Sequence, residues 1–186
     1  MREAAPFTSL RGHLLVSLPS LQQDYFSRSV TLLVEHNRDG AFGLVVSNSL
    51  EADLAALLAD HDIDCPDDIT LLESGPVEQD RLFFLHSSDR TFENSVAVNE
   101  AVQISTSLDL LEAIARGEGP ADLVAGLGYA GWSGGQLESE IQADVWLVTP
   151  YIHEVVFRTP FEKMPEAAAR AIGIDLNLIS PVPGHD

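Results

Sequence analysis

Leu123-Val-Ala-Gly-Leu-Gly-Tyr-Ala-Gly-Trp-Ser-Gly-Gly-Gln-Leu-Glu-Ser-Glu-Ile141 is the stretch on which the reading of this chain turns. It opens as a compact apolar run of strand length. Gly128 to Gly135 then reads as a glycine-rich turn carrying Tyr129 and Trp132, and the residues from Gln136 to Ile141 read as a helix. A strand, a turn and a helix in succession predict a mixed α/β chain. Two well-known catalytic patterns also fall inside this stretch, and each must be weighed against its context.

Gly126-Leu-Gly128-Tyr-Ala-Gly131 satisfies the G-x-G-x-x-G pattern of dinucleotide-binding folds. There the glycines let the backbone approach a pyrophosphate seated on a helix N-terminus. The third glycine should already be helical, whereas Trp132-Ser-Gly-Gly135 reads as loop, and Glu138 and Glu140 in the first helical turns would repel a phosphate. Too little chain follows for the usual series of strand–helix–strand units, so no nucleotide or other cofactor is expected.

Gly131-Trp-Ser133-Gly-Gly135 likewise matches the G-x-S-x-G elbow of α/β-hydrolases, with Asp144 and His153, or Asp175 and His185, in the required order. That chemistry needs a serine on a strained turn directly after a strand, with a base in reach. Ser133 lies several residues beyond the apolar run. Its spacing to Gln136 is that of a capping box, in which the hydroxyl starts the helix and the glutamine returns the bond. Capping is the preferred role, and a catalytic Ser133 is the alternative.

Elsewhere the chain alternates short apolar runs with amphipathic segments, without internal repeats. His13–Leu18, Val30–His36 and Phe42–Ser47 read as strands, the last two joined as a hairpin through Asn37-Arg-Asp-Gly40. Ser49 is placed to cap a helix through about Asp60 with Leu50, Leu54, Leu57 and Leu58 buried. Ile69–Glu73 and Leu82–His86 are strand-like and flank a rigid Ser74-Gly-Pro-Val77 turn, beside which Asp80 and Arg81 could pair. Thr106 and Asp109 have capping-box spacing, and Gly117 would end the helix that follows. Val145–Thr149 reads as a strand. Thr159, Pro160 and Glu162 signal a further helix that Pro165 restarts or kinks and Gly173 ends. No composition shift divides the chain, so residues 1–186 are read as a single domain with flexible ends at about 1–8 and 181–186.

Charge excludes more than composition does. The formal net charge is −19, from 29 acidic and 10 basic residues, and no two of the scattered arginines are adjacent. Direct nucleic-acid binding calls for clustered Lys and Arg, so a DNA-binding role is argued against. The first residues carry acid and no hydrophobic stretch, unlike a secretory signal, and no run is long enough to span a membrane. Cys65, the single cysteine, cannot form an internal disulfide, which suits a reducing cytoplasm. Asp60-His-Asp-Ile-Asp64 begins like a calcium loop, but Cys65 and Leu71 occupy its glycine and glutamate positions. The six histidines lack zinc-ligand spacing, so no metal is expected.

Several segments in order resemble the AlgH/YqgE-like family of bacterial proteins, and the resemblance covers nearly the whole chain. They include Leu14–Pro19, Phe26–Val30, Glu35-His-Asn37, Gly40–Val45, Ser74-Gly-Pro-Val77, Phe84-Leu-His86, Leu127–Trp132, Gly135–Glu138 and Trp146-Leu147. The chain departs from the family pattern at Ser47-Asn-Ser49, at Ser74 and at Asp144. The resemblance implies an α/β (mixed α+β) fold, with twisted mixed or antiparallel sheets curled into a pseudo-barrel flanked by helices. The family's biochemical activity is unresolved; its namesake is linked to control of alginate production, hence a transcriptional-regulator label.

The resulting expectation is a cytoplasmic protein that binds a protein or small-molecule partner, with no membrane role and an open oligomeric state. Its contact surface is placed near Arg28, Glu35, His36, Gly75, His86, Tyr129, Trp132 and Gln136, where the family motifs converge. The alternative is a hydrolase-type enzyme using Ser133, or Glu35 and His36 as general acid and base.

Overall fold

In the computed structural model, residues 6–19, 24–66 and 68–179 are described. Nine strands among these residues form one continuous sheet: β1 (Leu14–Ser17), β2 (Val30–Asn37), β3 (Gly40–Val45), β4 (Leu71–Glu73), β5 (Val77–Ser87), β6 (Val96–Ala97), β7 (Val102–Ser105), β8 (Leu123–Ser133) and β9 (Trp146–Thr149). Their spatial order is β6-β7-β5-β8-β3-β2-β1-β9, antiparallel throughout, with β4 added in parallel beside the first half of β8. The sheet curls into a half-barrel flanked by helices, the architecture that the resemblance implies.

The apolar runs read as near-continuous because the strands are buried on both faces. Along β1 and β2, Leu14, Val16, Val30, Leu32 and Val34 point into the concave core. Leu15 and Leu33 point to the opposite face. Val155 and Val156 of α4 (His153–Arg158) and Met164 and Ala168 of α5 (Met164–Arg170) fill the concave side, beside Phe83, Leu85 and Val124 from the other half of the sheet. On the convex side, α1 (Leu54–Leu58) and α2 (Asp109–Ala115) cover Leu71, Phe84 and Ala125. There too α3 (Gln136–Gln142) sets Leu137 against Leu15, Leu33 and Ala130.

The main correction concerns the segment read as a glycine-rich turn. Strand β8 runs unbroken through Tyr129 and Trp132 to Ser133, and only Gly134-Gly135 turns. Its first half pairs with β4 and β5, and its last residues pair with β3, Gly40 opposite Ser133 and Phe42 opposite Gly131. One strand therefore joins both halves of the sheet. Ala125 and Leu127 face the convex cluster, yet Tyr129, two residues on, packs with the concave one. The alternation slips at Gly128, whose φ of +75° is open to glycine and strained for other residues. The space is closed as well: a Cβ on Gly128 would stand 2.3 Å from the Gly75 carbonyl oxygen, and one on Gly75 would stand 1.9 Å from the Tyr129 carbonyl carbon. Glycine serves here for close backbone approach within a sheet, a use that periodicity cannot separate from a turn.

Smaller expectations shift in the same way. Asp53, not Ser49, caps α1, because Ser49 is held in a bridge to Leu72. Helix α2 begins without a side-chain cap, and Asp109 instead accepts the Glu93 amide. Arg81 pairs with Glu78 at 3.0 Å rather than with Asp80. Thr159 Oγ1 donates to the Glu154 carbonyl at the end of α4, which the sequence did not signal, and α5 starts only at Met164. Of the ends expected to be flexible, residues 1–5 and 180–186 lie outside the described residues, while Phe7 packs on the His36 ring at 4.9 Å.

The crossing on β8 gives a direct stability prediction. Gly128 and Gly117 share a φ of +75°, but a Cβ on Gly117 would meet nothing within 4 Å. Gly117→Ala should cost about 1–2 kcal/mol, the strain of a left-handed alanine. Gly128→Ala should cost at least about 2 kcal/mol more, because two backbones must part. Urea denaturation of both variants measures the difference, and equal losses would contradict the crossing.

Candidate functional site

At its end β8 delivers Trp132 to the convex face, and after Ser133 the two-residue turn hands the chain to α3. Positions four apart on a helix share a face, so Gln136 and Glu140 stack above the strand end. The Trp132 indole N–H donates to Glu140 Oε2 at 2.8 Å, and the Trp146 indole, arriving on β9, donates to the same oxygen at 2.7 Å. Gln136 Nε2 donates to Glu140 Oε1 at 2.9 Å. Both indoles are buried, 7 % and 4 % exposed, so each N–H needs an acceptor and Glu140 supplies both. Phe26 leans on both indoles, and between these groups lies a cleft of about 240 Å³ reached also by Asp24, Gly131 and Val145.

His36 closes the other flank of α3. Its Nδ1 accepts the Leu10 amide at 2.8 Å, which assigns the proton to Nε2, and Nε2 donates to Glu138 Oε1 at 2.7 Å. The Glu138 carboxyl is held below its ordinary pKa by its own backbone N–H in the first helical turn, against burial, with the His36 bond adding to the effect. Glu35 precedes His36 on β2 and is exposed, lining a shallow depression with Asn37, Asp39, Phe42 and Trp132. Consecutive strand residues point to opposite faces. The partner of His36 is Glu138, not the Glu35 that an acid–base pair would need.

Among the described residues Ser133 makes no hydrogen bond to an imidazole. Its Oγ donates to Gln136 Oε1 at 3.3 Å, and its amide donates to the same oxygen at 3.0 Å, while Gly135 holds the N-cap position. One half of the expected capping box is thus present, the return bond from Gln136. His153 sits elsewhere: its Nε2 donates to Asp122 at 2.8 Å, its Nδ1 accepts from the Tyr151 hydroxyl at 2.9 Å, and Arg158 also holds Asp122. Asp122 immediately precedes β8 and Ser133 ends it, eleven residues on, so the Ser133–Asp144–His153 triad is not assembled. His185 of the other triad lies outside the described residues.

The remaining members of the expected surface are spread through the fold. Gly75 and Tyr129 lie at the sheet crossing, Tyr129 stacked on Phe42 at 4.8 Å. Arg28 pairs with Glu166 at 2.8 Å beside a separate cleft. His86 is fully buried on β5, its Nδ1 bonded to the Ser87 carbonyl and its imidazole pushed below its ordinary pKa by burial. Trp132, Ser133, Gln136 and His36 therefore come together around α3, with Glu35 beside Trp132, and Arg28, Gly75, Tyr129 and His86 do not join them. From the sequence alone Glu140 has only the role of repelling a phosphate. Its spacing of four from Gln136 was the available signal, but Trp146 comes from another strand and no local spacing announces it. Among the described residues no group of His, Cys, Asp and Glu is arranged to hold a metal ion, and no helix is long and apolar enough to cross a membrane.

A family model described as AlgH-like (DUF179) matches residues 14–177, which takes in every element of this site. The chain belongs to the AlgH-like family. It is 44 % identical over 182 residues to a UPF0301 protein of Stenotrophomonas maltophilia strain R551-3, covering 96 % of this chain and 97 % of that one. A UPF0301 protein of Pseudomonas fluorescens strain Pf0-1 is 41 % identical with both chains covered in full. The solution structure of AlgH from Pseudomonas aeruginosa superposes with a TM-score of 0.78 at 38 % identity, covering both chains in full. A Corynebacterium diphtheriae protein, DIP2367, shares the fold at 20 % identity, with a TM-score of 0.75 over 96 % of this chain and 93 % of that one.

The Asp122 cluster carries a pH prediction. Burial pushes the Asp122 carboxyl up, but the bonds and charges of His153 and Arg158 outweigh it and hold the pKa below its ordinary value. A depressed carboxylate stabilises the fold above its unfolded pKa of about 4, and that stability is lost as pH falls through the folded value. Asp122→Asn should therefore cost about 1–3 kcal/mol at neutral pH. The gap from wild type should narrow steadily below about pH 4. Urea titrations at several pH values check this, and a gap independent of pH would contradict it.

Proposed function

We propose that this AlgH-like protein acts in the cytoplasm as a regulatory binding protein, engaging its partner through the cleft between Phe26, Trp132, Trp146 and α3. The observation that carries this reading is the Trp132–Glu140–Trp146 arrangement. Two large aromatic side chains are fixed by hydrogen bonds at the floor of the cleft, so the surface that a partner meets is already ordered and loses little freedom on binding. Trp132 and Trp146 form the buried floor of the cleft, and the exposed Asp24, Gly131 and Gln136 form its rim. His36 and Gln136 support it from either side by fixing α3 against the hairpin and the strand end.

Direct DNA binding fits poorly, since the −19 charge opposes a polyanion over long range. A regulatory effect would then be exerted through another protein or a small ligand. The hydrolase alternative gains no support from a Ser133 whose hydroxyl bonds to an amide oxygen.

The test is a pull-down from bacterial lysate with wild type, Trp132→Ala and Ser133→Ala. Trp132→Ala should lose the specific partner while Ser133→Ala retains it. Undiminished capture by Trp132→Ala, with the variant shown to be folded, would overturn the cleft as the contact surface. Labelling of Ser133 by a serine-directed fluorophosphonate would revive the enzyme.

A further inference from the structure

Glu140 has a different kind of partner from the ion-paired carboxylates of the fold. Glu138 faces His36, Glu166 faces Arg28, and Asp122 faces both His153 and Arg158. Glu140 accepts from two indoles and one amide, all neutral donors, and among the described residues it forms no ion pair with Lys, Arg or His. Three donors leave about one of the four lone-pair sites of an ionised carboxylate unused. Its negative charge is therefore held, oriented and not balanced, at the wall of the cleft. Asp24, exposed at the same cleft, adds a second.

The rest of the wall is aromatic. Trp132 and Trp146 meet edge to face at 6.0 Å and 76°, and Phe26 meets Trp146 edge to face at 5.6 Å. Trp132 and Trp146 are buried and form the floor, so the half-buried Phe26 is the ring open to a guest, and an aromatic face beside a carboxylate attracts a cation. The cleft, about 240 Å³, suits one side chain rather than a folded surface. A planar guanidinium can stack on an aromatic ring such as Phe26 and still hydrogen-bond in its own plane, which an ammonium cannot do.

We propose that the cleft receives an arginine side chain from a basic segment of a partner protein, its guanidinium bonded to Glu140 and packed against Phe26 above the buried tryptophans. The proposal rests on the cleft being the contact surface and adds what enters it. Complementarity holds at long range too, because a chain of net charge −19 draws basic partners toward it. Gln136 then serves to position Glu140 rather than to meet the guest.

The chain's two tryptophans both line this cleft, so their fluorescence responds to its occupancy. The probes are blocked Gly-Arg-Gly tripeptide and the same peptide with citrulline, the neutral isostere, or lysine in place of arginine. The arginine peptide should give a saturable change at millimolar concentration or below that weakens with added salt. Citrulline and lysine peptides should bind at least tenfold more weakly. In Glu140→Gln the preference for arginine over citrulline should vanish. Asp24→Asn, which leaves the indole bonds intact, should weaken arginine binding severalfold and guards against a folding defect in the first variant. Equal binding of arginine and citrulline by wild type, or lysine equal to arginine, would overturn the arginine while leaving the contact surface standing. Silence toward every tripeptide would also overturn it, and only partner capture unaffected by Trp132→Ala would remove the surface as well.

Discussion

The structure depends on the contact between two backbones where β8 passes the Ser74–Val77 corner. Gly128 and Gly75 lie so close that neither could carry a β-carbon without displacing the other's strand. That contact lets a single strand pair with β4 and β5 in one half and β3 in the other. The slip in alternation at Gly128 turns Tyr129 to the concave core and Trp132 to the convex one. Without it, Tyr129 would follow Leu127 to the convex side and Trp132 would leave it. The fold and the cleft are thus two consequences of one crossing.

From there the convex face follows in order. Trp132 emerges beside Trp146 because β9 comes back along β1, pairing Ser17 with Trp146 at the sheet edge. Helix α3 starts two residues after β8 and has only one apolar anchor fully buried, Leu137. Its polar side chains do the remaining fixing. Glu138 reaches His36, Gln136 reaches back to Ser133, and Glu140 ties two strands together through their indoles. A short helix of seven residues has little stability of its own. These bonds set its orientation, so removing one should disturb the cleft more than the sheet.

The sequence showed the strands of both cores well, because double burial writes them as apolar runs: Leu14–Val16, Leu32–Val34 and Phe83–Leu85 stand out without ambiguity. It misled at Gly128–Ser133, where the same glycine signal serves a loop or a close strand crossing, and only the pairing partner separates them. Strands β6 and β7 and helix α4 are short and draw their stability from tertiary contacts, so they left little local trace. Of the residues around the cleft, Trp132 and Gln136 were legible as a motif, but Glu140 and Trp146 gained their role only when the fold brought the end of β8 and the start of β9 to α3. His86 and Arg28 belong to the same family motifs and sit elsewhere, which shows that motif residues need not share a surface.

Native-state amide exchange along β8 tests the account most directly. If the strand is continuous, alternate amides from Val124 to Ser133 and the indole N–H groups of Trp132 and Trp146 should exchange only through large-scale unfolding. Protection that ends at Leu127, with the amides from Gly128 onward and both indoles exchanging as a free loop would, contradicts the crossing and the cleft together.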